Sequence, residues 1–490
     1  MSSEQAAVLA RVQGAAIDGR LRVLRIRQKQ FISLQKALIQ HRIALLDAIQ
    51  DDEGYSEQEA KLIFGSTLID LRNHYDALDF ESEFKQEYAL AKQESNEARR
   101  VPFEIAYIIS SPFTVLFSIV SALSAALEAG TCVVLELDQT HRKTSALLQR
   151  VLSSALDRDV LGFVSSRAPA EFLAHCVIVD QVGKMSASSS QHLLASDIQR
   201  NVAVIDRTGD MTLAAKEIVA SCTVFEGASP YAVDLVFVNE FMSDAFVQAL
   251  GREMAGNAKA TRLGNGMSSS SKGRELVNTS GKYITQAEVT SGKAQLMLGT
   301  CERGVVNILD RSSTLMTSKR LGLVIAICKM TSLDDLIDVL NVVPAGTSLV
   351  GALYVFSGAR EAKYLSQHIK SNVSYIDHIP SQLIVGPLVP FGYSTNLKCR
   401  YTRDMFETPS PQVVAGAKTH LISSILHKAD FIDKIAQKPL RPTGQAPSGA
   451  WGFFEQGIIL GALVYLVPIV SLTTLGAGYA VWGVYQGLSS

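Results

Sequence analysis

Residues 225–240 read FEGASPYAVDLVFVNE, a turn of small residues followed by a run of apolar and β-branched residues. The run LVFVNE is typical of a buried strand, and such a turn suits a loop that presents a reactive side chain where the strand begins. At that place the loop offers only Ser229, Pro230 and Tyr231. It therefore carries no strong nucleophile where its shape leads us to expect one.

Strand-like and helix-like segments alternate through the middle of the chain. The strand-like segments include VAVID (202–206), VDLVFV, GLVIAIC and ALYVFS, and helical patterns such as LAAKEIVASCTVF, MSDAFVQAL and LDDLIDVLN separate them. Further upstream, YIISSP, an Ala/Ser-rich helix and TCVVLEL form a strand–helix–strand unit. This order predicts an α/β protein with largely parallel sheets.

Composition narrows the class of protein. The chain has 490 residues, with 46 Lys and Arg against 47 Asp and Glu. This balance gives no basic surface excess for nucleic acid, so we expect no nucleic-acid partner. Six cysteines are scattered without a CxxC pair, which argues against a zinc site and against a disulfide framework. We expect reduced thiols, a cytosol-facing body and no metal.

Two apolar runs are long enough to cross a bilayer, which takes about 20 residues. The first, uncharged over 105–127, is broken by SSP and further serines, and it predicts a buried core. The second, GIILGALVYLVPIVSLTTLGAGYAVWGV (457–484), has Trp451 and Trp482 near its ends, as interfacial anchors do. We predict a single-pass anchor with the body in the cytosol, because basic residues lie upstream of it; a hairpin lying on the membrane is the alternative.

The segments together resemble the aldehyde dehydrogenase superfamily, most closely its class 3 branch, which includes fatty aldehyde dehydrogenases with a C-terminal membrane anchor. ALEAGTCVVLE, NVAVIDRTGDMTLAAKEIV, FEGASPYAVDLVFVNE, ALYVFS, VPFGYS and FETPS match the landmarks of the family in order and spacing. The resemblance implies a Rossmann-like nucleotide-binding domain, an α/β catalytic domain and a β-arm for dimerisation. By analogy with the anchored members, the endoplasmic reticulum is favoured, and the outer mitochondrial membrane is the alternative.

Domain limits follow from this resemblance. N-terminal helices and a nucleotide-binding-like domain are expected over 1–205, with an arm segment at about 82–105, and a catalytic-like domain over 206–385. Residues 386–442 are expected to return to the first domain and the arm, 443–456 to form a linker, and 457–484 to form the anchor.

The same resemblance places the catalytic positions of the family on residues that cannot perform the chemistry. The nucleophilic cysteine falls on Pro230, which has neither a thiol nor a backbone N–H. The oxyanion-binding asparagine falls on Ser110, and the general-base glutamate on Ser196, with Asp197 next to it. Cys222 and Ser229 are further candidates for a displaced nucleophile.

The positions that bind the cofactor in the family are also altered. The lysine that holds the adenosine ribose corresponds to Glu136, and the glutamate that holds the nicotinamide ribose corresponds to Lys319, so both charges are reversed. The glycine-bearing phosphate motif is reduced to QVGK (181–184). We therefore expect no cofactor.

The resulting hypothesis is a membrane-anchored, homodimeric binding, scaffold or accessory protein that lacks standard catalysis, with a lipophilic aldehyde or a protein as partner. An accessory role in a biosynthetic route, in which an aldehyde intermediate is bound but not oxidised, is one form of it. The alternative is NAD- or NADP-dependent oxidation of a long-chain or lipophilic aldehyde to its acid by displaced residues such as Cys222, Ser229 or Asp197.

Overall fold

The structure is a computed structural model. It describes residues 3–137, 142–183, 191–195, 199–264, 272–317, 319, 322–341, 350–416, 422, 426–441 and 453–488. The chain forms two compact units, Met1–Val414 and Ala415–Ser490.

The α-helices of the described residues are, in chain order, α1 (Ser3–Ile17), α2 (Leu24–Gln40), α3 (Arg42–Glu53), α4 (Glu57–Asp76), α5 (Phe80–Tyr88), α6 (Val115–Ala129), α7 (Arg142–Ala155), α8 (Ala170–Leu173), α9 (Met211–Thr223), α10 (Ser243–Gly264), α11 (Lys272–Thr290), α12 (Leu333–Asn341), α13 (Ala359–His368), α14 (Ala429–Ala436), α15 (Phe453–Gly461) and α16 (Val467–Leu488).

The strands are β1 (Arg100–Pro102), β2 (Ile105–Ile109), β3 (Cys132–Glu136), β4 (Leu161–Val164), β5 (Cys176–Asp180), β6 (Gln191–Leu194), β7 (Arg200–Ile205), β8 (Leu235–Asn239), β9 (Ala294–Gly299), β10 (Arg303–Ile308), β11 (Leu323–Met330), β12 (Val350–Phe356), β13 (Ser371–Ile376) and β14 (Glu407–Pro409).

The first sheet is parallel and has the order β4-β3-β2-β5-β6. Ile109 at the end of β2 lies opposite Glu136 of β3 and Asp180 of β5. The carboxyl ends of these three strands therefore meet at one edge, where α/β proteins bind ligands. Every residue of α6, which connects β2 to β3, is buried. This confirms that the first apolar run belongs to the core.

The second sheet has the order β13-β12-β7-β8-β11-β10-β9, and only β9 runs antiparallel to its neighbour. The predicted α/β class with largely parallel sheets is thus confirmed. β7 lies in this sheet between β12 and β8, although the sequence grouped residues 200–205 with the first domain. β7 belongs to the second sheet because its backbone hydrogen-bonds to β12 and β8.

The segment predicted as an arm, about 82–105, contains most of α5 and the short strand β1. β1 pairs antiparallel with β14 through Arg100 opposite Pro409 and Pro102 opposite Glu407. A strand from before the first sheet is thereby joined to one from after the second sheet.

In the second unit, α15 and α16 are joined by a π-helical segment, Ala462–Leu466. Residues Glu455–Tyr479 form a helix of mean hydropathy 2.3 that is 0% buried, long and apolar enough to span a membrane. The π-helical segment precedes Pro468, whose ring lacks an N–H and cannot continue the regular ladder. The hydroxyls of Ser471 and Thr474 bond carbonyls one turn back, which satisfies polar groups within the helix itself.

Candidate functional site

The loop between α9 and β8 turns through left-handed backbone. Phe225 and Glu226 have φ angles of 54° and 53°, and Gly227 follows with a φ of 73°. A Cβ on Gly227 would lie 2.3 Å from the carbonyl oxygen of Gly322, so only glycine fits there. The Phe225 N–H donates to Glu59 Oε1 over 2.8 Å, which ties the turn to α4.

Pro230 lies buried in this loop, and its carbonyl oxygen accepts two hydrogen bonds. Lys319 Nζ donates to it over 2.7 Å, and Asn201 Nδ2 donates over 2.7 Å. Lys319 Nζ also donates to the carbonyl oxygen of Gln199 over 2.9 Å. Two of the sequence-predicted positions, Pro230 and Lys319, are therefore in direct contact, and the ammonium joins the loop to the segment before β7.

Tyr231 fixes the other side of the loop. Its hydroxyl accepts a hydrogen bond from the Val389 N–H over 3.1 Å, and its carbonyl accepts one from the Tyr354 hydroxyl over 2.9 Å. The Arg400 guanidinium lies 4.9 Å from the centre of the Tyr231 ring, a cation–π distance. Burial raises the pKa of Tyr354 well above its ordinary value, so this hydroxyl stays a neutral donor.

Two displaced nucleophile candidates lie inside the packing of the loop. Cys222, in α9, is 3% exposed, and its Sγ lies 3.6 Å from the carbonyl oxygen of Val233. Ser229 is 1% exposed, and its Oγ accepts from the Tyr231 N–H over 3.3 Å. Ser196 and Asp197 lie outside the described residues.

Ser110 follows β2 at the carboxyl edge of the first sheet. It is buried, and its Oγ has no hydrogen-bond partner among the described residues. The next residue is held firmly, because the Ser111 N–H donates to Gln181 Oε1 over 2.8 Å while Gln181 Nε2 donates to the carbonyl of Ser118. The structure thus brings Ser110 to the expected sheet edge, where no described residue hydrogen-bonds to its hydroxyl.

Glu136 ends β3 at the same edge and sits in an ion pair. Arg167 donates to both carboxylate oxygens, from Nε over 2.7 Å and from Nη2 over 3.0 Å, and the Tyr107 hydroxyl donates over 2.6 Å. Burial, and then the neighbouring carboxylate, raise the pKa of Tyr107 above its ordinary value. Sequence reasoning missed Arg167, which is 31 residues away along the chain and carries no local signal.

The turn after β5 contains the start of the QVGK segment, and its backbone N–H groups are hydrogen-bonded within the protein. The N–H groups of Val182 and Gly183 donate to Asp180 Oδ1 over 3.0 and 2.9 Å. Backbone N–H groups at such a turn are those that a phosphate would need. Here a buried carboxylate takes the position of the anion.

One further cluster escaped the sequence analysis. Asp70 and His74, one turn apart on α4, meet Cys399 so that their ligand atoms all lie within 4.8 Å of one another. The i, i+4 spacing of Asp70 and His74 was a readable signal of a shared helix face. Cys399 comes from the far end of the chain, which no local pattern reveals.

The comparisons with known proteins agree with this architecture. Residues 13–392 match the sequence profile of the Aldehyde dehydrogenase family, and the chain belongs to that family. No curated protein sequence matches the chain at a significant level.

Solved structures share the fold at low identity. AldH of Staphylococcus aureus in a substrate-bound state aligns with a TM-score of 0.67 and 14% identity, over 89% of this chain and 100% of that chain. The glyceraldehyde-3-phosphate dehydrogenase GapN of Methanocaldococcus jannaschii, complexed with NADP, aligns with a TM-score of 0.65 and 13% identity, over 84% and 94%. An NAD-dependent benzaldehyde dehydrogenase of Corynebacterium glutamicum gives 0.61 and 14%, over 85% and 90%.

Proposed function

We propose that this chain is a membrane-anchored member of the aldehyde dehydrogenase family that has lost the standard dehydrogenase reaction. It acts as a binding, scaffold or accessory protein for a lipophilic aldehyde or a protein partner at a cytosol-facing membrane. The endoplasmic reticulum is the favoured membrane, by resemblance to the class 3 branch. The observation that carries the proposal is the contact between Pro230 and Lys319.

In this proposal Pro230 occupies the nucleophile position and Lys319 the position of the nicotinamide-ribose glutamate. A proline carbonyl tied to an ammonium provides no nucleophile and no amide for an oxyanion. Loss of such groups typically lowers turnover by several orders of magnitude. The lysine instead stabilises the loop, since it joins Pro230 to Gln199.

The groups on the cofactor side do not fit a dinucleotide. Both carboxylate oxygens of Glu136 are hydrogen-bonded to Arg167, and one of them also to Tyr107. The turn amides after β5 are bonded to Asp180. A bound cofactor would have to displace these internal contacts, so we derive no hydride-transfer step for this chain.

The alternative, NAD- or NADP-dependent aldehyde oxidation, requires a displaced nucleophile to become accessible. Cys222 and Ser229 are both buried against main-chain atoms. A catalytic thiol or hydroxyl needs a neighbouring base and a path for the substrate. The loop would therefore have to rearrange around Pro230.

The test is isothermal titration calorimetry of NAD⁺ and NADP⁺ with the full chain in lipid nanodiscs, with GapN as the positive control. We expect no heat of binding at millimolar cofactor, and no reduced cofactor from a panel of short- and long-chain aldehydes. Micromolar binding together with turnover would overturn the proposal. Loss of that turnover in Cys222→Ala or Ser229→Ala would then identify the displaced nucleophile.

We propose further that the chain forms a homodimer, as family members typically do. One face of α5 exposes Phe80, Phe84 and Tyr88, with neighbouring ring centroids 5.8 and 4.6 Å apart. An exposed aromatic face of this kind suits a protein interface. Light scattering after size exclusion is expected to give a dimer for the wild type and a monomer for Phe84→Glu; an unchanged mass in the variant would place the interface elsewhere.

A further inference from the structure

The cluster of Asp70, His74 and Cys399 has the chemistry of a metal site. It combines a carboxylate oxygen, an imidazole nitrogen and a thiol sulfur, and these atoms lie within 4.8 Å of one another. Asp70 and His74 are 3% and 1% exposed, and Cys399 is partly exposed. Mixed nitrogen, oxygen and sulfur ligands are typical of Zn²⁺ and its close neighbours in the first transition row.

Two buried atoms of the cluster have no hydrogen-bond partner among the described residues: Asp70 Oδ2 and His74 Nε2. They lie 3.6 Å from each other. Ligand atoms about 2.0–2.1 Å from a tetrahedral zinc ion are about 3.4 Å apart, so this spacing is near that of a shared ion. Buried polar atoms without partners are costly, and a bound cation would satisfy both.

Asp70 Oδ1 and His74 Nδ1 already have hydrogen-bond partners. The two atoms without partners, Asp70 Oδ2 and His74 Nε2, are the ones left to bind an ion. Glu128 Oε2 lies 2.6 Å from His74 Nδ1, so the carboxylate accepts the Nδ1 proton and leaves Nε2 to bind. Asp70 Oδ1 accepts from the Arg400 N–H over 3.2 Å, which leaves Oδ2. A carboxylate behind a metal-binding histidine is the usual arrangement around zinc.

Access and charge also suit a cation. The cluster opens into a cleft of about 650 Å³. Its lining carries the carboxylates of Asp76, Glu128, Asp404 and Glu407 against the cationic Lys398 and Arg403. Arg403 is already paired with Glu407 and Glu83. The cleft therefore has an excess of negative charge and a route for an ion to enter.

We propose that His74 Nε2, Asp70 Oδ2 and Cys399 Sγ bind a divalent cation of the zinc class, with Glu128 orienting the histidine. The fourth position faces the cleft and is open to water or to a small ligand. The ion would join α4 to the segment around Cys399, which lies more than 300 residues later. This site is independent of the loop that carries Pro230, so it does not rest on the proposed function.

The test uses the full chain in detergent, stripped with chelator and then titrated with Zn²⁺ or Co²⁺ alone. We expect one metal ion per chain by plasma mass spectrometry. We also expect Co²⁺ to give intense visible bands of a tetrahedral site and a near-ultraviolet thiolate-to-cobalt charge-transfer band. Glu128→Gln is expected to lower the metal affinity roughly 10- to 100-fold, as loss of a second-shell carboxylate does.

The matched pair of cysteine variants decides the assignment. Cys399→Ser is expected to abolish the charge-transfer band, while Cys301→Ser, at another partly exposed thiol, is expected to leave it unchanged. A variant of the buried ligand, His74→Gln, could fail to fold. Cys399→Ser still tests the site in that case, because the Cys399 side chain is only partly buried. Absence of stoichiometric metal, retention of the band in Cys399→Ser, or its loss in Cys301→Ser would each overturn the proposal.

Discussion

The hydrogen bond from Lys319 to the carbonyl of Pro230 constrains the loop before β8. The Lys319 ammonium donates to two main-chain carbonyls, those of Pro230 and Gln199. Hydrogen bonds from a charged donor stabilise a fold more than those from a neutral donor. The same carbonyl of Pro230 also receives Asn201 Nδ2. A side chain that the resemblance placed in cofactor binding is thus engaged in holding main chain.

Replacing Lys319 with methionine keeps the aliphatic stem and removes both hydrogen bonds. We expect the free energy of unfolding to fall by roughly 1–3 kcal/mol, the range for hydrogen bonds made by charged groups. Urea denaturation followed by circular dichroism measures the change. Lys329→Met is the control, because Lys329 is 44% exposed and its Nζ lies 3.9 Å from exposed Asp244. Equal effects of the two substitutions would show that Lys319 does not hold the loop.

Asp335 gives a stability change that depends on pH. Hydrogen bonds from Arg311 lower its pKa to about 2, from an ordinary value of 3.8. The carboxylate therefore stabilises the fold above about pH 4, and this contribution is lost as the pH falls through about 2. The Arg311 side chain is 41% exposed, so solvent screening limits the contribution to about 1 kcal/mol.

We expect Asp335→Asn to lower the free energy of unfolding by about that amount at pH 7. The difference from wild type should shrink between about pH 4 and pH 2, where the wild-type carboxylate itself becomes protonated. Urea denaturation across this pH range measures it. Asp338→Asn, an exposed site on the same helix, should show little change at any pH. A pH-independent loss in Asp335→Asn would mean that charge is not the cause.

The sequence located some of these side chains but not their partners. The position of Pro230 follows from a local motif, and so does that of Glu136 at the end of a strand. Arg167, Asn201 and Cys399 reach their partners across long stretches of chain, so only the folded sheets bring them together. The cluster of Asp70, His74 and Cys399 contains a single thiol beside a histidine and a carboxylate, so a search for paired cysteines does not find it.

α6 illustrates how an apolar helix tolerates polar atoms. All its residues are buried, yet the hydroxyls of Ser121 and Ser124 have no hydrogen-bond partner among the described residues. Ser118, by contrast, donates to the carbonyl of Phe113 over 2.8 Å. Small side chains let this helix pack closely against its neighbours, and the unsatisfied hydroxyls reduce its stability.

Ser124→Ala is therefore expected to stabilise the protein by about 1 kcal/mol, because it removes a buried hydroxyl without a partner and leaves the packing volume nearly unchanged. Ser118→Ala, on the same helix, should destabilise it by a similar amount, because it leaves the Phe113 carbonyl without its donor. Urea denaturation of both variants gives the comparison. A loss of stability in Ser124→Ala would reveal a partner for its hydroxyl.

Strongly patterned elements were predictable from the sequence. Strands such as β7, β8, β11 and β12 lie where their apolar runs placed them, because a strand buried on both faces needs a continuous apolar run. The helices before the first sheet were harder to predict. Among the described residues, five α-helices come before β1. Their apolar faces are interrupted by charge, and Arg27, for example, is buried in an ion pair with Glu83.

The two compact units of the chain differ in how their apolar residues are buried. The first folds around two sheets with buried cores, whereas the helix over 455–479 is 0% buried within its own unit. An exposed apolar helix of this length fits the hydrocarbon layer of a membrane. This supports the proposed anchor, for which a single span and a hairpin remain the competing arrangements.

The two arrangements differ in where the C-terminus lies. A single span with a cytosolic body puts it across the membrane, while a hairpin returns it to the cytosol. An N-glycosylation acceptor appended after Ser490 is therefore expected to be glycosylated in cells, provided that the anchor inserts in the endoplasmic reticulum. The same acceptor placed before Ser3 should stay unmodified. Both chains should remain in the membrane pellet after alkaline carbonate extraction, and a chain ending at Arg441 should be released. An unmodified C-terminal acceptor on a carbonate-resistant chain would contradict a single span in that membrane.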